Sequence, residues 1–409
     1  LEQYRQELYR RFCEQQQFSA SYSPLYCSLF GAVAEWLAER PLRPAASWLL
    51  DAAATRAAFD VTNLLAAAVH RDVLAGLPAT ERLRAYYPSV GGTAVSGKMV
   101  GREWLIESGF REALEQAILL RRPELRSFIL SNTVQTNETG RGLAWLLPTA
   151  VAGMESVYLL DLGASAGLNL VADQRRFTLV DEADGRVLAH FGRGPQTEFT
   201  VQASGWPAGL PPDVLATPVV LGRTGCDLHP FLLTDEEDER RLAAFVWADQ
   251  VERLARLRAG MDGLKEVGKG NTAVHLHALS LPEGLPAFLN SVVRPHQMPV
   301  ICYNTYIRMY LPAKGAALHE HIASWATRQA GPVIWLQWEP PGCLVRETGP
   351  APHDGWLAWT IDLWRGTDHR QWQLGWVHPH GQQIQFTAGF QAWIAYWHQM
   401  TDREQYSPQ

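Results

Sequence analysis

Beyond residue 150 the sequence alternates short apolar runs of strand length with stretches of helical spacing, and this alternation constrains the fold more than any other feature. The runs are "SVYLLDLG" from Ser156, "TPVVLGRTGCDLHP" from Thr217, "TAVHLHALS" from Thr272, "MPVICYNTYIRMYL" from Met298 and "GPVIWLQWEPP" from Gly331. Helical stretches separate them: "AGLNLVADQ" from Ala166, the long amphipathic segment from Asp235 to Met261, and "ALHEHIASWATRQ" from Ala317. That order predicts a mostly parallel sheet with crossover helices. Two last runs, from Gly355 and Trp372, read as an antiparallel pair at its edge. Residues 176–218 break the rhythm with a hairpin signal at Asp184–Gly185 and a cluster of Gly and Pro behind it, so a β-rich insertion is expected there. Before residue 150 the periodicity is helical throughout, as in "YCSLFGAVAEWLAERPL" from Tyr26 and "TRAAFDVTNLLAAAVHRDVLAGL" from Thr55. With 409 residues the chain exceeds one ordinary core. The expectation is an all-helical N-terminal cap over 1–150 and an α/β domain over 151–409.

Charge and cysteine usage narrow the function classes. Thirty-six basic against 42 acidic residues give a net charge of −6 with no Lys/Arg stripe, which argues against a nucleic-acid partner. Five scattered cysteines without a CxxC pair suit free thiols, and no uncharged apolar run is long enough for a bilayer, so a cytoplasmic protein without a membrane partner is expected.

The first strand ends in "DLGASAGLNL", where Gly163, Ser165 and Gly167 are small residues at every second position after Asp161. A strand feeding such a turn lets a ligand approach the main chain. The dinucleotide pattern GxGxxG would need its third glycine where Leu168 stands, so an NAD-dependent oxidoreductase is disfavoured. Asp227 closes the next parallel strand, where a carboxylate can hold two vicinal ribose hydroxyls.

This arrangement resembles the first motif of class I S-adenosylmethionine-dependent methyltransferases, with their Rossmann-like fold. Four segments together, "VQTNETGR" from Val134, "LDLGASAGLNL", "RTGCDLHP" and "VWADQVER" from Val246, resemble a bacterial family catalogued as domain-of-unknown-function 2332, with Ala248 standing where a proline is expected. The resemblance implies S-adenosylmethionine as cofactor, with Asp161, Gly163, Ala164, Ser165, Gly167 and Asn169 along the turn, Asp227 on the ribose, and His277 and Asn304 at its edges. A methyltransferase is the reading; a non-catalytic cofactor-binding or regulatory protein of the same fold is the alternative.

Methyl transfer from a sulfonium mainly requires alignment in a dry site, with a base only where the acceptor must lose a proton. Tyr303 and Tyr306 close the fourth strand and Glu339 ends the fifth, making Glu339 the candidate base and the tyrosines candidates for positioning the acceptor. No Asn-Pro-Pro-Tyr or Asp-Pro-Pro-Tyr tetrapeptide stands there, which argues against methylation of nucleic-acid bases. Gln135, Asn137, Glu138 and Arg141 gather just before the first strand, and with Gln250 they are candidates for binding a small-molecule or peptide-sized acceptor between the cap and the strand ends. In the same segments Asn137 reads as a helix cap, and Asp249 and Arg253 as an ordinary helical pair. Three HxH pairs, His275/His277, His319/His321 and His378/His380, do not converge by any spacing rule, and no metal site is expected from them.

Overall fold

The computed structural model describes residues 2–94, 99–100, 103–104, 109–194, 198–210, 214–270, 272–292 and 297–405, and it divides into two compact units. The first comprises 1–136 together with 233–257, and the second 137–232 together with 258–409. The boundary differs from the expected 1–150 because the helix Leu143–Val151 is buried on every residue against the sheet, which assigns it to the α/β unit.

The first unit is built on α1 (Glu2–Ser19), α2 (Pro24–Ala38), α3 (Pro44–Ala52), α4 (Ala58–Leu74), α5 (Glu81–Arg84), α6 (Phe110–Leu120) and α7 (Arg122–Ser131), with a two-residue ribbon pairing Met99–Val100 with Glu103–Trp104. Ser23 caps α2 by accepting from the Tyr26 amide at 3.2 Å, and Pro24 occupies the first turn, where its missing N–H costs nothing. α2 and α4 bury residues on nearly every side and form the middle of this unit. Between the second and third parallel strands the chain returns to this unit, adding α9 (Glu236–Ala244) and the "VWADQ" segment. There Trp247 stacks between Tyr22 and Tyr26, with ring centroids 5.3 and 4.7 Å away.

The second unit is organised on one eleven-stranded sheet. In chain order its strands are β1 (Ser156–Leu162), β2 (Arg176–Asp181), β3 (Val187–Phe191), β4 (Glu198–Ser204), β5 (Val219–Asp227), β6 (Val274–Ala278), β7 (Val300–Thr305), β8 (Val333–Glu339), β9 (Leu357–Arg365), β10 (Asp368–Val377) and β11 (Gln383–Phe386). Across the sheet they run β3-β2-β4-β11-β10-β9-β8-β7-β1-β5-β6. The five strands β8-β7-β1-β5-β6 are parallel, and their order reverses direction between β1 and β7, as in a doubly wound, Rossmann-type sheet.

Two expectations are corrected here. In the β-rich stretch after residue 176, β2, β3 and β4 do come between β1 and β5 in the chain, but β2 and β4 join the main sheet through parallel pairing of β4 with β11, so β9 and β10, expected at the edge, lie inside the sheet. Residues 195–197 and 211–213 of that stretch lie outside the described residues. The segment after the glycine turn forms only a kinked 3₁₀ turn, Leu168–Gln174, because β2 begins at Arg176 and leaves no room for a crossover helix.

Strand alternation divides the core into two layers. Val157 and Leu159 of β1, Ile301 and Tyr303 of β7, and Ile334, Leu336 and Trp338 of β8 face the layer holding α8 (Leu143–Val151) and α13 (Ala388–Gln405). Leu160, Leu162, Val300, Cys302, Val333 and Trp335 face the layer of α11 (Leu285–Val292) and α12 (Ala316–Ala326). The cysteines are free thiols, and no helix among the described residues is long and apolar enough to cross a membrane.

Candidate functional site

The turn that ends β1 takes three left-handed residues in five: Gly163 at φ +93°, Ser165 at +48° and Gly167 at +75°. Its amides are used internally. The Gly163 and Ala164 N–H groups both donate to the Cys226 carbonyl, at 2.8 and 3.0 Å, and the Gly167 N–H donates to Ala164 O at 2.7 Å. Asp227, at the carboxyl end of β5, accepts from the Ser165 amide at 2.9 Å and from the His229 amide at 2.9 Å, so it holds the turn in shape. The missing side chains make room for the protein itself. A Cβ at Gly163 would stand 2.3 Å from Ile307 Cγ2, and one at Gly225 would stand 2.4 Å from the Ala164 Cβ. Gly167 packs under Val274 and Leu276 of β6.

Directly beside the turn, on the α8 side of the sheet, lies a buried polar cluster centred on Asp161. β1 and β7 pair in register so that Asp161 and Tyr303 are neighbours, and both side chains are almost fully enclosed. Burial pushes the Asp161 carboxyl up to about 7; the Tyr303 hydroxyl works against the shift and Asp227 adds to it. A carboxyl that titrates near neutrality inside a sheet is the kind of group a binding or acid-base site requires. The Tyr303 hydroxyl has only the Asp161 carboxyl as a partner among the described residues.

Arg175, which ends the 3₁₀ turn, brings a wholly buried guanidinium to the same cluster. Burial pulls it down to about 10 against the pull of Asp173, Tyr303 and Glu138. Two of its nitrogens, Nε and Nη1, have no hydrogen-bond partner among the described residues, while the guanidinium lies 5.7 and 5.3 Å from the rings of Phe177 and Phe199. Its neighbour Arg223 is the opposite case, held bidentate by Asp173 at 2.7 Å on both oxygens.

The segment "TNETGR" borders this cluster. Glu138, not Asn137, caps the short turn Thr139–Gly142 by accepting from the Gly140 amide at 3.4 Å, and its other oxygen lies 3.1 Å from His380 Nδ1. Asn169 donates from Nδ2 to the Glu138 carbonyl at 3.3 Å and leaves its Oδ1 without a partner among the described residues. Arg141 donates from Nε to Pro379 O at 3.1 Å and lies 5.1 Å from the centre of the Tyr306 ring. Tyr306 itself stands at φ +60°, an uncommon conformation for a bulky residue, just past the end of β7.

Several predicted residues fall elsewhere. Glu339, proposed as a base, points to the α12 side, away from Tyr303, because the two occupy opposite parities of adjacent strands. It is fully buried with both oxygens engaged: Oε1 accepts from Asn304 Nδ2 at 2.7 Å and from the Ile307 amide at 3.0 Å, and Oε2 accepts from the Arg308 amide at 3.2 Å. Asn304 is spent in the same network, accepting from Trp335 Nε1 at 2.7 Å. Glu339, the candidate base, thus has both oxygens committed to anchoring the loop that lays Ile307 over Gly163. His277 is exposed and packs edge-on against Phe288 of α11. Gln135 and Gln250 belong to the helical unit; Gln135 donates to Thr133 Oγ1 at 3.1 Å and Gln250 to Tyr22 O at 2.9 Å. Asp249 caps the start of α2, taking the Ser23 hydroxyl at 2.7 Å and the Leu25 amide at 3.2 Å. Arg175 and His380 were missed: a lone arginine before a strand carries no local signal, and the His378/His380 pair was read only for metal spacing.

A search of curated proteins finds no match to the chain. The sequence model of one family, described as an uncharacterised protein conserved in bacteria, matches residues 6–386, which include the Asp161 cluster and the "TNETGR" segment. The chain therefore belongs to that bacterial family, DUF2332.

Proposed function

We propose that the carboxyl ends of β1, β5 and β7 bind S-adenosylmethionine and that the protein transfers its methyl group to a small-molecule or peptide-sized acceptor. One observation carries the reading: the parallel order reverses between β1 and β7, and at that point sits a buried carboxyl raised to about 7 beside a turn with two left-handed glycines. The residues fit the cofactor's polar ends. Asp161 offers a buried acceptor for an ammonium, and Asp227 offers a half-buried carboxylate for vicinal hydroxyls. Ile307 stands where a ligand would lie against Gly163, so binding requires the Tyr306–Ile307 loop to shift, and the left-handed Tyr306 is already held away from its preferred conformation.

The bound cofactor supplies an activated carbon: the acceptor's lone pair forms the new bond as the carbon–sulfur bond breaks, its electrons pass to sulfur, and any proton leaves from the acceptor. This chain's residues would then orient the acceptor and exclude water, with Arg175, Arg141 and Glu138 around it. The full engagement of Glu339 favours a second reading, a cofactor-binding protein without turnover.

Calorimetry with S-adenosylmethionine, S-adenosylhomocysteine and NAD tests the first reading. Saturable binding of the first two, weakened by roughly 2 kcal/mol in Asp161→Asn and not weakened in Ile307→Ala, is the expected result. Binding of NAD alone, or affinity unchanged in Asp161→Asn, would overturn it. Transfer of a labelled methyl group to extracts fractionated by size separates a methyltransferase from a silent binder.

A further inference from the structure

His319 on α12, Asp362 on β9 and His369 on β10 converge on the face of the sheet opposite Asp161, with one donor atom from each lying within 4.8 Å of the other two. We propose that these three side chains bind a first-row divalent cation of the zinc type.

The donor set suits that ion. Two imidazoles and one carboxylate, without a thiolate, select a borderline divalent cation, and three protein ligands leave a position for water. Donors about 2 Å from a shared tetrahedral ion lie about 3.3 Å apart, so side-chain shifts of up to about 1.5 Å close the set.

The surroundings hold two of the three ligands in place and leave the third available. His369 is stacked on Trp364, with ring centroids 4.5 Å apart and planes 8° from parallel, and its Nε2 already lies 2.9 Å from Asp362 Oδ1. Asp362 is 3% exposed, and His369 is its only hydrogen-bond partner among the described residues. A buried carboxylate so sparsely paired needs a further positive charge, and the nearby Arg308 has already committed its guanidinium to Gln337 and to the carbonyls of Lys314 and Gly315. His319 makes no hydrogen bond among the described residues and has Trp335, Trp364 and His369 around its ring, each with centroids about 6 Å away. The His369 side chain is 29% exposed, which gives an ion access from solvent.

The three residues come from three elements, so an ion would pin α12 to the β9–β10 hairpin. Asp362 pairs with Trp335 and His369 with Trp364, in the half of β8 nearer its amino end, so the site is separate from the carboxyl edge proposed for S-adenosylmethionine.

The test uses the untagged full chain, stripped with chelator and titrated with Zn²⁺ and with Co²⁺. One ion per chain is expected, with Co²⁺ giving visible absorption bands of a nitrogen- and oxygen-ligated site and a metal-dependent rise in melting temperature. Asp362→Asn and His319→Gln should each lower the affinity by roughly a hundredfold or more, whereas His321→Gln and His275→Gln should leave it unchanged. Should Asp362→Asn fail to fold, His319→Gln carries the test, since that ring makes no hydrogen bond among the described residues. Absence of one-to-one binding by the wild-type chain, or full affinity retained in His319→Gln, would overturn the proposal and leave His369 and Asp362 as a plain ion pair. S-adenosylmethionine binding, measured on the same metal-free samples, reports on the other site independently.

Discussion

The two faces of the central sheet carry buried polar clusters of comparable size, and they are finished to different degrees. On the α12 side, Glu339, Asn304, Trp335, Arg308 and Gln337 satisfy one another: each charged group meets donors or acceptors at 2.7 to 3.2 Å. On the α8 side Asp161, Tyr303 and Arg175 are just as deep and Asn169 is partly buried, yet two Arg175 nitrogens and Asn169 Oδ1 have no hydrogen-bond partner among the described residues, and the Tyr303 hydroxyl has only the Asp161 carboxyl. A satisfied network rigidifies a fold, whereas buried groups without partners cost stability and persist where they serve another purpose. The contrast separates the anchor of the β7 loop from the cluster that is available for binding.

The largest effect should come from cutting the finished network. Glu339→Ala leaves the Asn304 amide and two backbone N–H groups buried without an acceptor, and should destabilise the protein by roughly 3–5 kcal/mol in denaturant unfolding. A loss below about 1 kcal/mol would mean that the two faces do not differ as described.

Next comes the pH dependence of Asp161. Its folded value of about 7 lies above the ordinary 3.8, so the folded state keeps a proton that the unfolded chain releases. This group's cost is absent below the unfolded value, grows as pH rises between the two, and is complete above 7. Asp161→Asn removes the slope, so its stability relative to wild type should rise by roughly 3 kcal/mol between pH 5 and pH 8. A flat difference across that interval would show the carboxyl to be ionised throughout.

A matched pair of arginine substitutions sharpens the comparison further. Arg308→Met breaks three hydrogen bonds to Gln337, Lys314 and Gly315 and should cost roughly 3 kcal/mol. Arg175→Met removes a guanidinium with two unpartnered nitrogens and should cost no more than about 1 kcal/mol, while ligand binding is lost. Equal costs would erase the distinction between the faces.

The smallest effect is expected of Tyr303→Phe, which below the Asp161 titration should change stability by less than about 1 kcal/mol, since the hydroxyl has only the Asp161 carboxyl as partner. It should nonetheless move the Asp161 titration upward, because that hydroxyl favours the ionised carboxyl. Carbon-detected NMR of the Asp161 carboxyl in the two proteins checks the direction.

Much of the fold was legible in the sequence because it rests on local rules. Alternating apolar runs marked β1, β5, β6, β7 and β8, and helical spacing marked the segments that became α2, α4, α6 and α7. The small residues at 163, 165 and 167 marked a turn after β1, and the structure gives all three of them positive φ. The binding partners of that turn were not legible. Whether Gly163 faces a ligand or Ile307 depends on a loop more than a hundred residues later, itself fixed by Glu339. Likewise Asp249 reads locally as half of a helical pair, but it caps a helix more than two hundred positions earlier.

The sequence by itself therefore determined which segments are strands or helices, where a tight small-residue turn follows β1 and which residues carry charge, since these follow from side-chain sterics and periodicity within a few residues. Only the tertiary structure decided that β2 and β4 extend the main sheet, that Asp161 and Glu339 look to opposite sides of it, and that Arg175 and His380 reach the Asp161 side. The reason is physical: strand parity becomes a direction only once register and neighbours are fixed, and burial, which moves a carboxyl to about 7, is a property of everything packed around it.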